Sequence, residues 1–386
     1  MTTTESLHGR LALMVGHCAG MVDLVALPVW VGALIAYYRF DPQQAGLLAT
    51  LFLLGAVLAS SLLAPRFGRL PGRAVAAGGF GLAAVGFGVA STTTAFGLLA
   101  VLHAASGMAA GAGLSVTHGT IARSTRPHRL FALAGVALGV FAVVFLGATP
   151  PLVSKAGGPV LFQVFAGVMA IGAVVALLAF PVADAAAGAR VVAKASVPLA
   201  RGVWFGIVGI ACMGLVQAMT FSFLERVGDH RGFGLAAITG VLIALGIVNL
   251  FPAALAALLE KRWSARSVLL VGPVLQALLV AVIMNSPAFA PYAAAASVFA
   301  AVMIFTHTFA FGVLARLDRS GRALAATPAM LMIGAAVGPV LGGTLVKAFG
   351  YGSLAIAAAL IGAAAVLCFS RVPAVAGAAP AREALA

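Results

Sequence analysis

The sequence predicts an all-α membrane protein of twelve transmembrane helices, arranged as two six-helix bundles. Three observations carry this. Of 386 residues, 63% are hydrophobic and only 8% charged, with a mean hydropathy of +1.14, whereas a water-soluble domain carries roughly 25% charged residues. Apolar runs long enough to cross a bilayer, about 20 residues each, follow one another along nearly the whole chain. The basic residues fall in short clusters between those runs, on alternate loops. Forty-six glycines suit close-packed membrane helices, where small side chains let backbones approach.

The spans are expected, in order, at Leu11 to Tyr37, Gln44 to Ala64, Ala74 to Thr92, Phe96 to Ala122, Leu130 to Leu152 and Pro159 to Pro181. A less apolar linker follows, residues 182–201, with Asp184, Arg190, Lys194 and Arg201. Six further spans are expected at Gly202 to Leu224, Phe233 to Leu259, Ser267 to Asn285, Tyr292 to Ala315, Ala323 to Val346 and Ser353 to Phe369. This gives an N-terminal bundle over 1–181 and a C-terminal bundle with a short tail over 202–386. The first apolar run, reaching Tyr38, is too long for a cleavable signal and has no small-residue cleavage site.

Twelve spans put both termini on one side. With the N-terminus placed in the cytoplasm, the even-numbered loops hold Arg66, Arg69 and Arg73; Arg123, Arg126 and Arg129; Lys261, Arg262 and Arg266; and Arg316, Arg319 and Arg322. Adding the linker and the termini brings that side to 18 of the 23 Lys and Arg residues. The opposite side keeps Arg39, Lys155, Arg226, Arg231 and Lys347. This is the positive-inside asymmetry. It accounts for the net charge of +14 without a nucleic-acid partner, since no basic stripe runs along one face. The expected location is a bacterial inner membrane, with both termini cytoplasmic and membrane lipid as solvent.

Internal similarity supports the two halves. Ala122-Arg123-Ser-Thr-Arg126-Pro-His-Arg129 and Ala315-Arg316-Leu-Asp-Arg319-Ser-Gly-Arg322 space their basic residues alike and lie 193 residues apart, half the chain. Such halves of equal orientation form a parallel pseudo-repeat.

Several loops and spans carry a family resemblance. Ser61-Leu-Leu-Ala-Pro65-Arg66-Phe67-Gly68-Arg69-Leu-Pro71-Gly-Arg73 resembles the G-x-L-A-D-R-x-G-R-R loop of the major facilitator superfamily. His103-Ala-Ala-Ser106-Gly107 in the fourth span is similar to that family's fourth-helix pattern, with His103 where the family has Arg. Gly334-Ala-Ala-Val-Gly338-Pro339-Val-Leu-Gly342-Gly343 looks like its G-x-x-x-G-P-x-x-G-G. The resemblance implies a monomeric secondary transporter working by alternating access, with Arg66, Gly68, Arg69, Glu260, Gly338 and Pro339 in gating or structural roles. Two departures stand out. Pro65 replaces the loop acid, and the fifth span has Gly135 and Gly139 but no Gly-Pro pair, which weakens the reading as a multidrug or metabolite exporter.

The candidate chemistry lies inside the spans. Asp23, near the middle of the first span, is expected to couple transport to protons. An ionised acid there costs about 2.5–3.5 kcal/mol, and a state that hydrates it binds H⁺ differently from one that buries it. Gly16 and Trp30 share its helix face at i±7. Gln217 follows Asp23 by 194 residues, close to the repeat-related position, and with Trp30, His103 and His307 is expected to line a substrate site. Packing-only roles are the alternative for each of these. A carrier of strongly anionic solutes would place a cation in its cavity, and no Lys or Arg lies inside a span, so the expected substrate is a small neutral or cationic organic solute. Glu225 and Arg226 read as interfacial charges at the outer end of the seventh span, with an outer-gate role as the alternative.

A transition-metal importer is the second reading. His17 and Met21, and Met303 and His307, are i,i+4 pairs whose imidazole and thioether groups suit copper. The three cysteines form no CxxC, so no structural metal or disulfide framework is expected, and no cofactor beyond a proton gradient. An enzyme is not expected, since H-E-x-x-H and G-x-S-x-G motifs are absent.

Overall fold

Lipid offers backbone groups no hydrogen-bond partners, so a chain this apolar must satisfy its own by forming helices. The computed structural model describes residues 3–63, 66, 70–182, 200–260, 262–318 and 327–373. The linker from 183 to 199, and Pro65, Gly68, Arg69, Lys261, Arg319, Arg322 and Arg382 from the basic loops and tail, lie outside the described residues.

Among the described residues, twelve helical segments are long and apolar enough to cross a membrane, matching the expected count. The first span is broken in two: α1 (Leu7–Gly20) and α2 (Val22–Tyr38), hinged at Met21. Ser6 caps α1, its side chain accepting from the Gly9 N–H. The break coincides with the Asp23 carboxylate, whose Oδ1 accepts the Leu24 N–H at 2.8 Å. A short acidic side chain competing for a backbone donor in this way disfavours a continuous helix. Spans two to six are α3 (Pro42–Leu63), α4 (Gly72–Ala90), α5 (Phe96–Ala122), α6 (Pro127–Ala156) and α7 (Pro159–Ala179).

In the second half, α8 (Arg201–His230) is the seventh span. The eighth is again divided, into α9 (Leu235–Val248) and α10 (Pro252–Leu259). Pro252 has no N–H to continue the ladder and restricts Phe251 before it. Then come α11 (Ala265–Asn285), α12 (Phe289–Leu317), α13 (Thr327–Phe349) and α14 (Ser353–Ser370).

With an even number of spans, the loops after even-numbered spans and both termini share one face of the molecule, here the terminal face. The loops after odd-numbered spans lie on the other, the far face. The halves meet along a seam that begins at the far face. Lys347 Nζ donates to Asp41 Oδ2 at 2.8 Å and to Gln43 Oε1 at 3.4 Å. One turn deeper, a Cβ on Gly343 would strike the Pro42 carbonyl, and one on Gly46 would strike that of Pro339. Deeper still, the Val340 N–H donates to Thr50 Oγ1 at 3.1 Å. Gly338 packs on the Met219 backbone of α8, so the Gly338-Pro339 element lies in the wall of this seam, where the family pattern placed a mechanical element. Two further crossings join the halves: Gly32 of α2 faces Glu225 of α8, and Gly147 of α6 faces Ile243 of α9.

Candidate functional site

The first and fourth spans run antiparallel through the N-terminal bundle. Gly16 faces Thr117, Gly20 faces Leu114, and Trp30 stacks on His103 with ring centroids 5.5 Å apart. Asp23 therefore sits between the Leu114 and His103 levels. It is 0% exposed. Its Oδ1 is occupied by the Leu24 N–H, while Oδ2 is buried without a hydrogen-bond partner.

Trp30 and His103 are held in an aromatic cluster. Phe52, Phe87 and Phe165 pack edge-on around the indole, and Phe162 packs edge-on against the imidazole at 5.3 Å. His103 Nδ1 meets the Leu99 carbonyl at 2.6 Å. Both outward-pointing ring nitrogens, Trp30 Nε1 and His103 Nε2, are buried and unpartnered. Aromatic pairs of this geometry contribute about 0.5–1.5 kcal/mol each beyond their buried area. The structure thus brings together two of the four expected binding residues, on the interior side of the N-terminal bundle.

Gln217 is in the C-terminal half, paired with a residue the sequence reading missed. Gln276 on α11 donates through Nε2 to Gln217 Oε1 at 3.3 Å and to the Met213 carbonyl at 3.2 Å. Gln276 is 1% exposed. A polar side chain three residues after Pro273 in an otherwise apolar span was the available signal. The α2–α8 contact at Gly32 and Glu225 gives a common reference depth. Gln217 lies eight residues below Glu225 and Asp23 nine below Gly32, so both sit about 12–14 Å from that contact at 1.5 Å per residue. The buried acid and the glutamine pair therefore share one level near the middle of the spans.

His307 lies on α12 with its ring 4.9 Å from Phe311 and its Nδ1 buried without a partner. His17 bonds His118 of the fourth span, nitrogen to nitrogen at 2.9 Å. Met303 is in the core of the C-terminal half with Val203, Met213 and Leu269, while Met21 packs against Ala56, Leu114 and Met332. Among the described residues no group of three or more His, Cys, Asp or Glu side chains is placed to hold a metal ion.

On the terminal face Glu260 pairs with Arg316 at 3.7 Å within the C-terminal half. Arg66 donates to its own helix end at the Leu62 carbonyl, 2.5 Å away. Gly68 and Arg69 lie outside the described residues.

Residues 12–315 match a family model described as the Major Facilitator Superfamily. Solved structures of similar fold include the nucleoside transporter NupG, at 14% identity and a TM-score of 0.72, covering 95% of this chain and 98% of that one. The D-xylose-proton symporter is similar at 16% identity and TM-score 0.72, covering 95% and 97%. A bacterial homologue of the human lysosomal transporter Spinster reaches 15% identity and TM-score 0.66, covering 94% of each. No protein of curated description matches the sequence significantly.

Proposed function

Since the chain belongs to the Major Facilitator Superfamily, as a multi-pass membrane protein of twelve helices, we propose that it is a proton-coupled secondary transporter of a small neutral or cationic organic solute. The observation that carries this is Asp23: a fully buried carboxyl with one oxygen unpartnered, beside a break in the first span and level with the Gln217–Gln276 pair. A carboxyl in that setting is cheaper to bury with its proton on than off. A conformation that opens the site to water reverses the balance, and this difference in proton affinity is what couples a gradient to a population shift. The terminal face is then cytoplasmic, as the basic loops argue.

Gln217 and Gln276 offer amide donors and acceptors matched to hydroxyls or carbonyls, without a fixed charge. Two structurally similar proteins are named for a nucleoside and for D-xylose with a proton, which are neutral, hydroxyl-rich solutes. These are the classes to test first, followed by lipophilic cations. His103 and Trp30 act in this reading as the wall that holds α2 and fixes the Asp23 side chain, with His307 on the opposite half.

The test uses purified protein in liposomes. A thermal-shift screen against nucleosides, sugars, amino acids and organic cations at two pH values identifies the solute class. Asp23→Asn is then expected to abolish uptake against a gradient while leaving counterflow exchange measurable. Proton-driven accumulation at the wild-type level in that variant refutes the role of Asp23.

A further inference from the structure

A second carboxyl, half-buried, has one of its oxygens covered by the meeting of the two halves. Glu225 lies on α8 near the far face and points at Gly32 of α2, where a Cβ would strike its Oε2. That oxygen is buried and has no hydrogen-bond partner. The carboxyl borders a cavity of about 150 Å³ between the halves, walled by Gly32 and Tyr37 of α2, Ser154 of α6, and Arg226 and Asp229 of α8.

No surrounding cation forms an ion pair with it among the described residues. Arg226 is the nearest cation in sequence; its Nη1 pairs with Asp229, and its Nε is buried without a partner. Among the described residues no ion pair reaches Glu225, although the other half-buried far-face acid, Asp41, has Lys347. From α12, the Tyr292 hydroxyl donates to the Leu224 carbonyl at 2.8 Å and is not free for the carboxyl. Arg231, farther along, donates to the Ile283 and Met284 carbonyls. The α2 side presents Gly32, with the Tyr37 ring at the cavity edge. The α6 side presents Ser154, and the α9 side presents Leu235.

We propose that Glu225 is a proton-binding residue of the far-face gate, and that the halves close there only when its carboxyl has taken up a proton. In the closed arrangement the oxygen facing Gly32 is buried with no hydrogen-bond donor beside it, which an ionised carboxylate tolerates poorly. When the halves part, α2 withdraws and the carboxyl regains water, so it ionises as an ordinary glutamate does. Closing therefore transfers one proton from far-face water to a Glu225 oxygen, forming an O–H bond, and opening returns it. Such a linkage changes the open-to-closed ratio by up to tenfold per pH unit between the two proton affinities. Acid favours closure and alkali favours opening. This assignment is independent of the role given to Asp23.

Spin labels on the full chain at Thr94→Cys and Ala288→Cys, exposed loop sites of the two halves at the far face, with Cys18, Cys212 and Cys368 replaced by Ser, report the gate. The distance distribution is followed from about pH 5 to about pH 8, a range that spans carboxyls moved by burial. The expected result is a shift from short to long distances as pH rises, and a Glu225→Gln variant that stays short throughout. Gly32→Ala, which puts a methyl into the carboxyl, is expected to hold the gate long, and Glu225→Ala in the same chain to restore closure. Asp23→Asn is expected to keep the pH shift. A pH-independent wild-type distribution overturns the proposal, as does a shift that survives in Glu225→Gln. So does a shift lost in Asp23→Asn but kept in Glu225→Gln, which would move the proton to Asp23. Failure of Glu225→Ala to relieve Gly32→Ala shows that the contact does not set the gate, and overturns it equally.

Discussion

Replacing Asp41 by Asn removes one interaction at the far face and leaves its neighbour intact. The Asp41 carboxyl does two jobs. Its Oδ1 accepts the Gln44 N–H at 2.9 Å while Gln44 Oε1 accepts the Asp41 N–H at 3.2 Å, a reciprocal cap on α3 of the kind that satisfies otherwise orphaned donors. Its Oδ2 accepts from Lys347 of the opposite half. Asn caps a helix about as well as Asp, so the variant isolates the ion pair. That pair is half exposed, 49% for Lys347 and 34% for Asp41, and exposed pairs contribute about 0.2–1 kcal/mol. At 1.4 kcal/mol per factor of ten, losing it should move the open-to-closed ratio at the far face about 1.4- to 5-fold toward open. The label pair at positions 94 and 288 measures this directly. High salt should reproduce part of the shift in the wild type and none in the variant. Asp41→Ala, which also strips the cap, should cost about 1 kcal/mol more in thermal stability. An unchanged distance distribution in Asp41→Asn at low salt refutes the claim that Lys347 and Asp41 help hold the halves together. A tenfold or larger shift would refute the surface-pair magnitude.

Four other outcomes follow from the same structure. Burial alone would raise the Asp41 carboxyl, but the Lys347 ammonium and the Gln44 N–H outweigh it and hold the pKa below the ordinary value. Its contribution to closure is therefore complete above the usual carboxylate range and lost as pH falls through the lowered pKa, so closure measured in acid should weaken at a lower pH than any Glu225 transition. Trp30→Ala empties the middle of the aromatic cluster and should cost about 3–5 kcal/mol, read as a lower unfolding temperature in detergent, whereas Trp30→Phe should recover most of it. Gln217→Leu and Gln276→Leu, combined in a double-mutant cycle, should show a coupling of about 0.6 kcal/mol, the average for hydrogen bonds between membrane helices; additive losses would mean the two amides do not act together. Gly46→Val should hold the far face open, because its side chain meets the Pro339 carbonyl and backbone cannot move aside as a side chain can; cross-linking that still forms across residues 43 and 347 at the wild-type rate would show that the seam closes elsewhere.

The membrane class, the count of spans and the two-half plan were legible because each rests on a property summed over many residues: hydropathy over 20-residue windows, charge over loops, and similarity at one long offset. Asp23 was legible for a different reason, as a single acid in an apolar run. Its helix-mates were less so. Spacing put Trp30 on its face, but an apolar helix has no polar side to say which way a face turns, and the structure turns Trp30 into the N-terminal aromatic cluster. The break at Met21 follows Gly20, but glycine recurs throughout these spans and marks no break by itself; where the Asp23 side chain finds a donor is not written in the local pattern. Gln276 went unnoticed for want of a charge. Glu225 looked like an ordinary interfacial acid because its position near a span end says nothing of Gly32, 193 residues earlier, lying against it. Contacts between halves come from helix crossings that no local pattern records. The central linker and the Gly68–Arg69 part of the signature loop lie outside the described residues.

The far-face seam closes largely main chain to main chain, with glycine on one side and a carbonyl on the other. Surfaces of that kind have no rotamers to readjust, so they offer few partly closed intermediates: a displacement of one carbon's width separates contact from none. A barrier built this way passes abruptly between sealed and unsealed. In a transporter, that abruptness limits the time during which both faces admit water at once.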